Sequence, residues 1–345
     1  MKIMVFNVSA ETVGALSILN DFLEDVRSRE DENVEWVFVL SKPNLTESSN
    51  IKILRFPWIK KSWWHRLFFD FIIAPRLIKK FKVDRVLSFQ NITIPITKVH
   101  QILYMHNSLP FVEHKFSYRS NKRLWIYQNI IGRSILRSII KADMVIVQSE
   151  WIKEACVSKT KVLSEKIQVI PPCINMEVNN MFRFEKEYSF TFFYPASEFQ
   201  YKNHSLIVDA CKSLHRENID NYKVIFTLSG SENQYVSQLY NEVQENQLPI
   251  EFIGSLSREQ VFYLYSTSIL LFPSYIETFG LPLLEARLHQ TIIFASDCLF
   301  SHEILDSYEN AYFFNPFNSK ELFELLKAAV NNELVYTPIS KEIYL

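Results

Sequence analysis

The chain has 345 residues, enough for two domains of ordinary size, and its content of 48% hydrophobic and 14% aromatic residues excludes a globally disordered protein. The formal net charge of −1 hides an asymmetry: residues 1–165 carry 25 Lys and Arg against 16 Asp and Glu, a net +9, whereas the remainder carries 12 against 22, a net −10, which points the first half towards an anionic partner. No apolar run reaches the length of a membrane span, and the opening segment is too quickly interrupted for a secretion signal, so a cytoplasmic protein, neither exported nor integral to a membrane, is expected.

Strands alternate with helices almost throughout, the pattern of parallel sheets covered on both faces. In the first half the apolar runs predict strands at residues 2–9, 35–40, 85–89, 101–106 and 144–148, with helices over 14–27 and from Glu150 onward. The second half repeats the plan, with strands at 190–194, 223–228, 250–253, 269–272 and 291–295 and helices at 204–216, 235–245, 258–265, 282–289 and 320–331. Pro171-Pro172 stiffens the join, and a less apolar stretch follows it. The expected organisation is α/β: a domain over 1–168, a hinge or linker over 169–188, and a second domain over 189–345. Two Rossmann-like, doubly wound domains would then face a central cleft, with ligands at the carboxyl ends of the strands. Cys156, Cys173, Cys211 and Cys298 show no metal spacing and read as reduced core thiols.

The most informative string runs from Ser268 to Ala286. A buried strand ends at Pro273, a loop carries Glu277, and Gly280-Leu281-Pro282 turns the chain into a helix that suits Pro at its first position. Glu285 is expected in the first helical turn. Both carboxylates can then converge on a group held at a helix N-terminus, where unpaired N–H groups favour an anion such as phosphate.

This string resembles the Glu-x7-Glu signature of glycosyltransferase family 4, whose fold is GT-B. The likeness extends over residues 252–265, similar to the strand, glycine loop and helix that precede the signature, and over 194–210, similar to a phosphate-contacting loop around Lys202. Residues 142–151 are similar to the last strand and helix of an acceptor-binding domain. The resemblance implies a retaining, metal-independent transferase in which the first half binds acceptor and the second binds a nucleotide-sugar donor. No cofactor is expected beyond that co-substrate.

Roles follow from the same resemblance. Glu285 is implied to hold the ribose hydroxyls, and Glu277 to face the donor sugar, where negative charge favours an oxocarbenium-like transition state. The amides of Phe279, Gly280 and Leu281 are implied to meet the sugar and β-phosphate, and Lys202 to neutralise the departing diphosphate. Gly254 and Ser255, with Ser229-Gly230 nearby, are implied to meet the nucleobase. In the first half, His106 is the expected active-site histidine, and Gly14 lets the loop that opens the first helix approach the donor phosphate or the acceptor; Asn107 and Glu11 are further candidates. Two departures from the family pattern stand out. The arginine expected about five residues before Lys202 is replaced by Ala196-Ser197-Glu198, and only one glycine stands in the first loop.

Residues 60–82 and 119–141 interleave basic and large aromatic or aliphatic side chains at helical spacing. That composition suits the surface of an anionic bilayer, at the inner face of the cell membrane; a core-packing helix with a solvated basic face is the alternative. No nucleic-acid motif accompanies these stretches. The expected activity is sugar transfer to a saccharide or lipid-linked saccharide in cell-surface polysaccharide synthesis. Its rivals are a non-catalytic partner or glycan-binding protein of the same fold, and a sugar-nucleotide epimerase.

Overall fold

Segments such as Ile-Leu-Leu-Phe at Ile269–Phe272 are apolar at every position and so can face water on neither side; they form the middle of parallel sheets with helices on both faces. The computed structural model describes residues 1–9, 13–28, 33–42, 45–119, 121–172, 178, 180–183 and 190–338. The chain divides into two units, Met1–Pro171 and Pro172–Leu345.

The first unit holds strands β1 (Lys2–Asn7), β2 (Glu35–Leu40), β3 (Ile51–Arg55), β4 (Arg85–Ser88), β5 (His100–Tyr104), β6 (Met144–Val147) and β7 (Ile167–Val169). They form one parallel sheet in the order β3-β2-β1-β4-β5-β6-β7. Its helices are α1 (Val13–Ser28), α2 (Trp63–Phe68), α3 (Ala74–Phe81), α4 (Lys122–Ile126), α5 (Gly132–Lys141) and α6 (Glu150–Thr160). The period of two along the strands divides the core into two layers. Met4, Phe6, Val37, Val39 and Val86 pack against Phe69, Ala74 and Ile78, while Val5, Phe38, Leu40 and Leu87 pack against Leu19, Leu23 and Val26 of α1. Each such burial contributes about 2 kcal/mol.

The second unit holds β8 (Phe190–Tyr194), β9 (Tyr222–Phe226), β10 (Ile250–Phe252), β11 (Ile269–Phe272), β12 (Ile293–Ser296) and β13 (Ala311–Phe314), parallel in the order β10-β9-β8-β11-β12-β13. Its helices are α7 (His204–Arg216), α8 (Gln234–Glu245), α9 (Arg258–Thr267), α10 (Leu281–Leu288), α11 (Leu299–Leu305) and α12 (Ser319–Val330). In both sheets the winding direction reverses, between β1 and β4 in one and between β8 and β11 in the other. Loops leaving the carboxyl ends of those paired strands run to opposite faces and open a crevice between them.

The structure adds elements that the sequence patterns do not announce. β3 reads Ile-Lys-Ile-Leu-Arg at a sheet edge, with polar residues breaking the apolar run, and β7 has three residues only. β13 and α11 are likewise short. The strand expected at 291–295 instead runs Ile293–Ser296. The basic, aromatic stretches are helical but interrupted. A π-helical turn over Phe69–Ile73 joins α2 to α3, and Ala74 N–H reaches back five residues to the Phe69 carbonyl just before Pro75, whose ring would clash with a regular turn. A second π turn, Tyr127–Ile131, joins α4 to α5.

Cys156 and Cys211 are buried, which pushes each thiol up to about 12 and leaves it unreactive at neutral pH. Cys298 departs from the expected core placement, being only half-buried, and Cys173 lies outside the described residues. So do Glu11 and, of the expected linker, residues 173–177, 179 and 184–189.

Candidate active site

The reversal between β8 and β11 places the two loops of greatest interest side by side. After β8 the chain passes through a 3-10 turn, Gln200–Lys202, and through Asn203 in the left-handed region (φ 65°) before α7 begins. Asparagine tolerates that conformation, and here its side chain also works as a clamp. Asn203 Nδ2 donates to the Pro273 carbonyl at 3.3 Å and to the Pro316 carbonyl at 2.7 Å. The buried Tyr194 hydroxyl donates to the Lys202 carbonyl at 2.6 Å, and Tyr275 N–H donates to the Tyr201 carbonyl at 3.3 Å. The loop carrying Lys202 is therefore tied to the loop carrying Glu277, and Lys202 Nζ meets Glu277 Oε1 at 2.5 Å. Their side chains are only 18% and 16% exposed, so solvent screens the pair less than an ordinary surface ion pair.

Gly280 follows with φ +96°, a conformation that disfavours any side chain, and an added Cβ would stand 3.3 Å from Leu283. It is the N-cap of α10, with no side chain capping the helix. Because α10 begins at Leu281, one residue before the expected start, Glu285 is its fifth residue, just past the first turn in which the sequence places it. Glu285 does not lie on a solvated face. It is buried, and the Tyr265 hydroxyl donates to its Oε2 at 3.1 Å. Burial raises its pKa, and the Tyr265 hydrogen bond and the charge of Arg258 partly offset that shift. The Phe279 side chain belongs to the core, whereas Leu281 is exposed.

Gly254 leaves β10 with φ +76°, its N–H donating to the Leu228 carbonyl at 2.9 Å, and an added Cβ would meet nothing within 4 Å. A flat group can thus approach its backbone, and exposed Ser255 follows it. In the neighbouring loop the N–H groups of Ser229, Gly230 and Ser231 already donate to the Glu232 carboxylate, which lies 3.2 Å from Gly230 N and 3.1 Å from Ser231 N. Where the family pattern has an arginine, the Ala196 N–H bonds the Thr227 hydroxyl at 3.1 Å.

The remaining candidates lie in the first unit. Gly14 is the second residue of α1. His106 follows β5, and its Nε2 lies 3.2 Å from the Asn91 side-chain amide. Burial pushes the imidazole down to about 4, so it is neutral at pH 7. Asn107 serves its own turn, accepting from Leu109 N–H at 3.0 Å. Sequence reasoning missed Tyr265, Asn203 and Asn91. The only local hint was an asparagine directly after Lys202, at the start of a helix.

Two family models match consecutive parts of the chain: "Glycosyl transferases group 1" over residues 179–344 and "Glycosyltransferase Family 4" over residues 31–178. Among curated proteins, the chain is 25% identical over 296 residues to the O-antigen chain mannosyltransferase RfbU of Salmonella typhimurium, covering 84% of this chain and 75% of that one. Among solved structures, it is similar to the lipopolysaccharide outer core galactosyltransferase WaaB in its apo form, with TM-score 0.68, 16% identity, and coverage of 98% of this chain and 92% of that one. It is also similar to Anabaena HepE in complex with UDP-glucose, with TM-score 0.67, 15% identity, and coverage of 96% and 90%. These structural likenesses establish the fold as GT-B.

Proposed function

For this chain, which belongs to the glycosyltransferases of family 4, we propose transfer of a sugar from a nucleotide-sugar donor to a saccharide or lipid-linked saccharide, in cell-surface polysaccharide synthesis. The observation that carries this reading is the Lys202–Glu277 pair at the reversal point of the second sheet, 2.5 Å apart. A strand-order reversal is where α/β sheets take nucleotides, and this one brings together a cation for a diphosphate and an anion for a sugar.

The donor's ribose hydroxyls bind the buried Glu285 carboxylate, which accepts two hydrogen bonds side by side. The diphosphate lies against the N-terminus of α10, near the amides of Phe279, Gly280 and Leu281, and competes with Glu277 for Lys202. Drawing Lys202 onto the phosphates releases Glu277 to the donor sugar, where its charge favours the oxocarbenium-like transition state. Lys202 and the helix terminus together neutralise the leaving diphosphate in place of a metal, and the sugar keeps its anomeric configuration. Gly254 and Ser255 receive the nucleobase along open backbone. His106 and Gly14 belong to the same reaction, on the first unit.

Thermal-shift measurements across sugar nucleotides test this reading. One donor at about a hundred times its Kd stabilises by about 2.7 kcal/mol, an upward shift of roughly 5–10 °C for a unit of this size. Tyr265→Phe strips the buried Glu285 of its hydroxyl donor, lowers stability by about 1–3 kcal/mol, and shrinks the donor-induced shift. A screen in which no sugar nucleotide raises the melting temperature would leave the non-catalytic rival standing instead.

The lipid-facing part of the proposal rests on α2. Trp63, Trp64, Leu67, Phe68 and Phe71 are all exposed, Trp64 by 79%, and their spacing puts them on one helical face. Exposed Lys61, Arg76, Lys79, Lys80 and Lys82 accompany them, and the second stretch adds exposed Arg133, Arg137, Lys141, Ile130 and Ile140. Arg66 is turned inward, paired with buried Asp70 at 2.6 Å. Among the described residues no helix is long and apolar enough to cross a membrane, and an aromatic stripe beside lysines suits shallow insertion into anionic lipid on the cytoplasmic side. Flotation with vesicles of anionic phospholipid is expected to carry the protein, and Trp63→Ser with Trp64→Ser to weaken binding by about tenfold or more. Equal flotation of both forms would remove α2 from the membrane contact.

A further inference from the structure

The second unit carries, beside Glu285, a cation that the roles proposed above leave unused. β10 ends at Phe252, Gly254 leads the chain off the sheet, and α9 opens on Arg258 at the carboxyl end of that strand. The start of the helix is already filled. Ser257 Oγ accepts from Gln260 N–H at 3.3 Å, and Gln260 Oε1 accepts from Ser257 N–H at 2.9 Å. This reciprocal cap fixes the first turn, so what the turn offers a ligand is the Arg258 side chain. Its guanidinium carbon lies 5.2 Å from the centre of the Phe262 ring, one turn along the same helix. The Phe262 ring is stacked on that of Tyr265 at 6.5 Å, and the Tyr265 hydroxyl donates to Glu285 at 3.1 Å. Residues 258, 262 and 265 share one helical face, and this row ends on the carboxylate assigned to the ribose.

Arg258 is exposed, and among the described residues its guanidinium makes no hydrogen bond and no salt bridge. Its charge nonetheless reaches Glu285: burial raises that carboxyl's pKa, and Arg258, after the Tyr265 hydrogen bond, works against the rise. The neighbouring loop is open, since an added Cβ on Gly254 would meet nothing within 4 Å. A guanidinium resting on an aromatic ring presents a planar fork of donors and can accept nothing. Such a fork suits a base edge that carries a carbonyl oxygen and disfavours one that presents an amino group in its place. Uracil and guanine carry a carbonyl oxygen; adenine carries none.

We infer that Arg258 is a specificity-determining residue: its guanidinium donates to a carbonyl oxygen of the nucleobase, so that the site takes uridine or guanosine diphosphate sugars in preference to adenosine diphosphate sugars. The inference rests on the proposed place of Glu285 at the ribose, and it involves residues of the second unit alone. Glu285 and the diphosphate groups treat every nucleotide alike, whereas Arg258 distinguishes between bases.

Calorimetric titration of the full-length protein with UDP, GDP and ADP tests it. UDP or GDP should bind about tenfold or more tighter than ADP. Arg258→Met should weaken the favoured nucleotide by about tenfold while leaving the ADP affinity within about threefold, so that the preference largely disappears. Because the side chain is exposed, the melting temperature of the variant should stay within about 2 °C of wild type. Wild-type protein that binds ADP as tightly as the others would overturn the inference. So would a variant that keeps the full preference, or one weakened equally towards all three nucleotides, which would tie Arg258 to the charge of Glu285 and not to the base. If none of the three binds, the donor reading itself fails; if one binds and Arg258→Met changes nothing, the inference fails alone.

Discussion

Glu277→Gln is expected to lower the kcat for sugar transfer by at least about a hundredfold while leaving the donor Kd within about tenfold. The substitution keeps the shape of the side chain and removes its charge. Two consequences follow, and they separate a catalytic carboxylate from a structural one. In the ligand-free protein, Lys202 loses the counter-ion that lies 2.5 Å away. Since both side chains retain some exposure, the stability cost is modest, about 1 kcal/mol. In the reaction, by contrast, the negative charge beside the anomeric carbon disappears when positive charge develops there. A structural pair predicts a lower melting temperature with near-normal turnover; the proposed role predicts the reverse weighting. Lys202→Met provides the complement, because it weakens diphosphate binding and also leaves Glu277 unpaired. If Glu277→Gln transfers sugar at the wild-type rate, the assignment of Glu277 is wrong, whatever happens to stability.

A second large effect concerns acid. His204 opens α7 two residues after Lys202 and is fully buried, with its ring 4.8 Å from that of Tyr194 and 5.0 Å from that of Phe226. Neither ring nitrogen has a hydrogen-bond partner among the described residues. Burial first, and then the charge of Lys202, pushes its pKa down to about 3. In the unfolded chain the same imidazole titrates near 6.5. As pH falls below that value, the unfolded state takes up a proton that the native state refuses, so stability falls until the native pKa is reached. The slope is about 1.4 kcal/mol per pH unit for one group, which reaches a few kcal/mol by pH 4. His106 contributes in the same direction within the first unit, down to about pH 4. Glu285 works against the trend, since its raised pKa makes the native state the better proton acceptor. Comparing wild type with His204→Leu isolates the histidine. Urea titrations between pH 7 and pH 4 should show the variant losing much less stability than wild type. Parallel curves would mean that the buried imidazole is protonated, or hydrated, in the native state.

Much of the second unit is legible in local sequence. Ile269–Phe272 is apolar at every position, Gly280-Leu281-Pro282 marks a helix start, and Lys202 sits where a loop becomes a helix. These are short-range signals, and the structure places each feature on the expected kind of element. Edge and short strands escaped the same reading, because a strand such as Ile51–Arg55 buries only part of its surface and carries a broken pattern. The exact turn of Glu285 also escaped it, since helix boundaries shift by a residue according to cap geometry that propensity alone does not decide.

The sequence by itself determined the two α/β units, the helix start that suits a phosphate, and the two glutamates whose residue types suit a sugar nucleotide. The tertiary structure alone decided the partners. Lys202 meets Glu277 across 75 residues, Tyr265 donates to Glu285 across 20, and Asn91 reaches His106 across 15. Each of these contacts joins segments that the sheet order sets side by side. Strand order is fixed by how whole layers pack, not by any local pattern, so no reading of neighbouring residues could have supplied it.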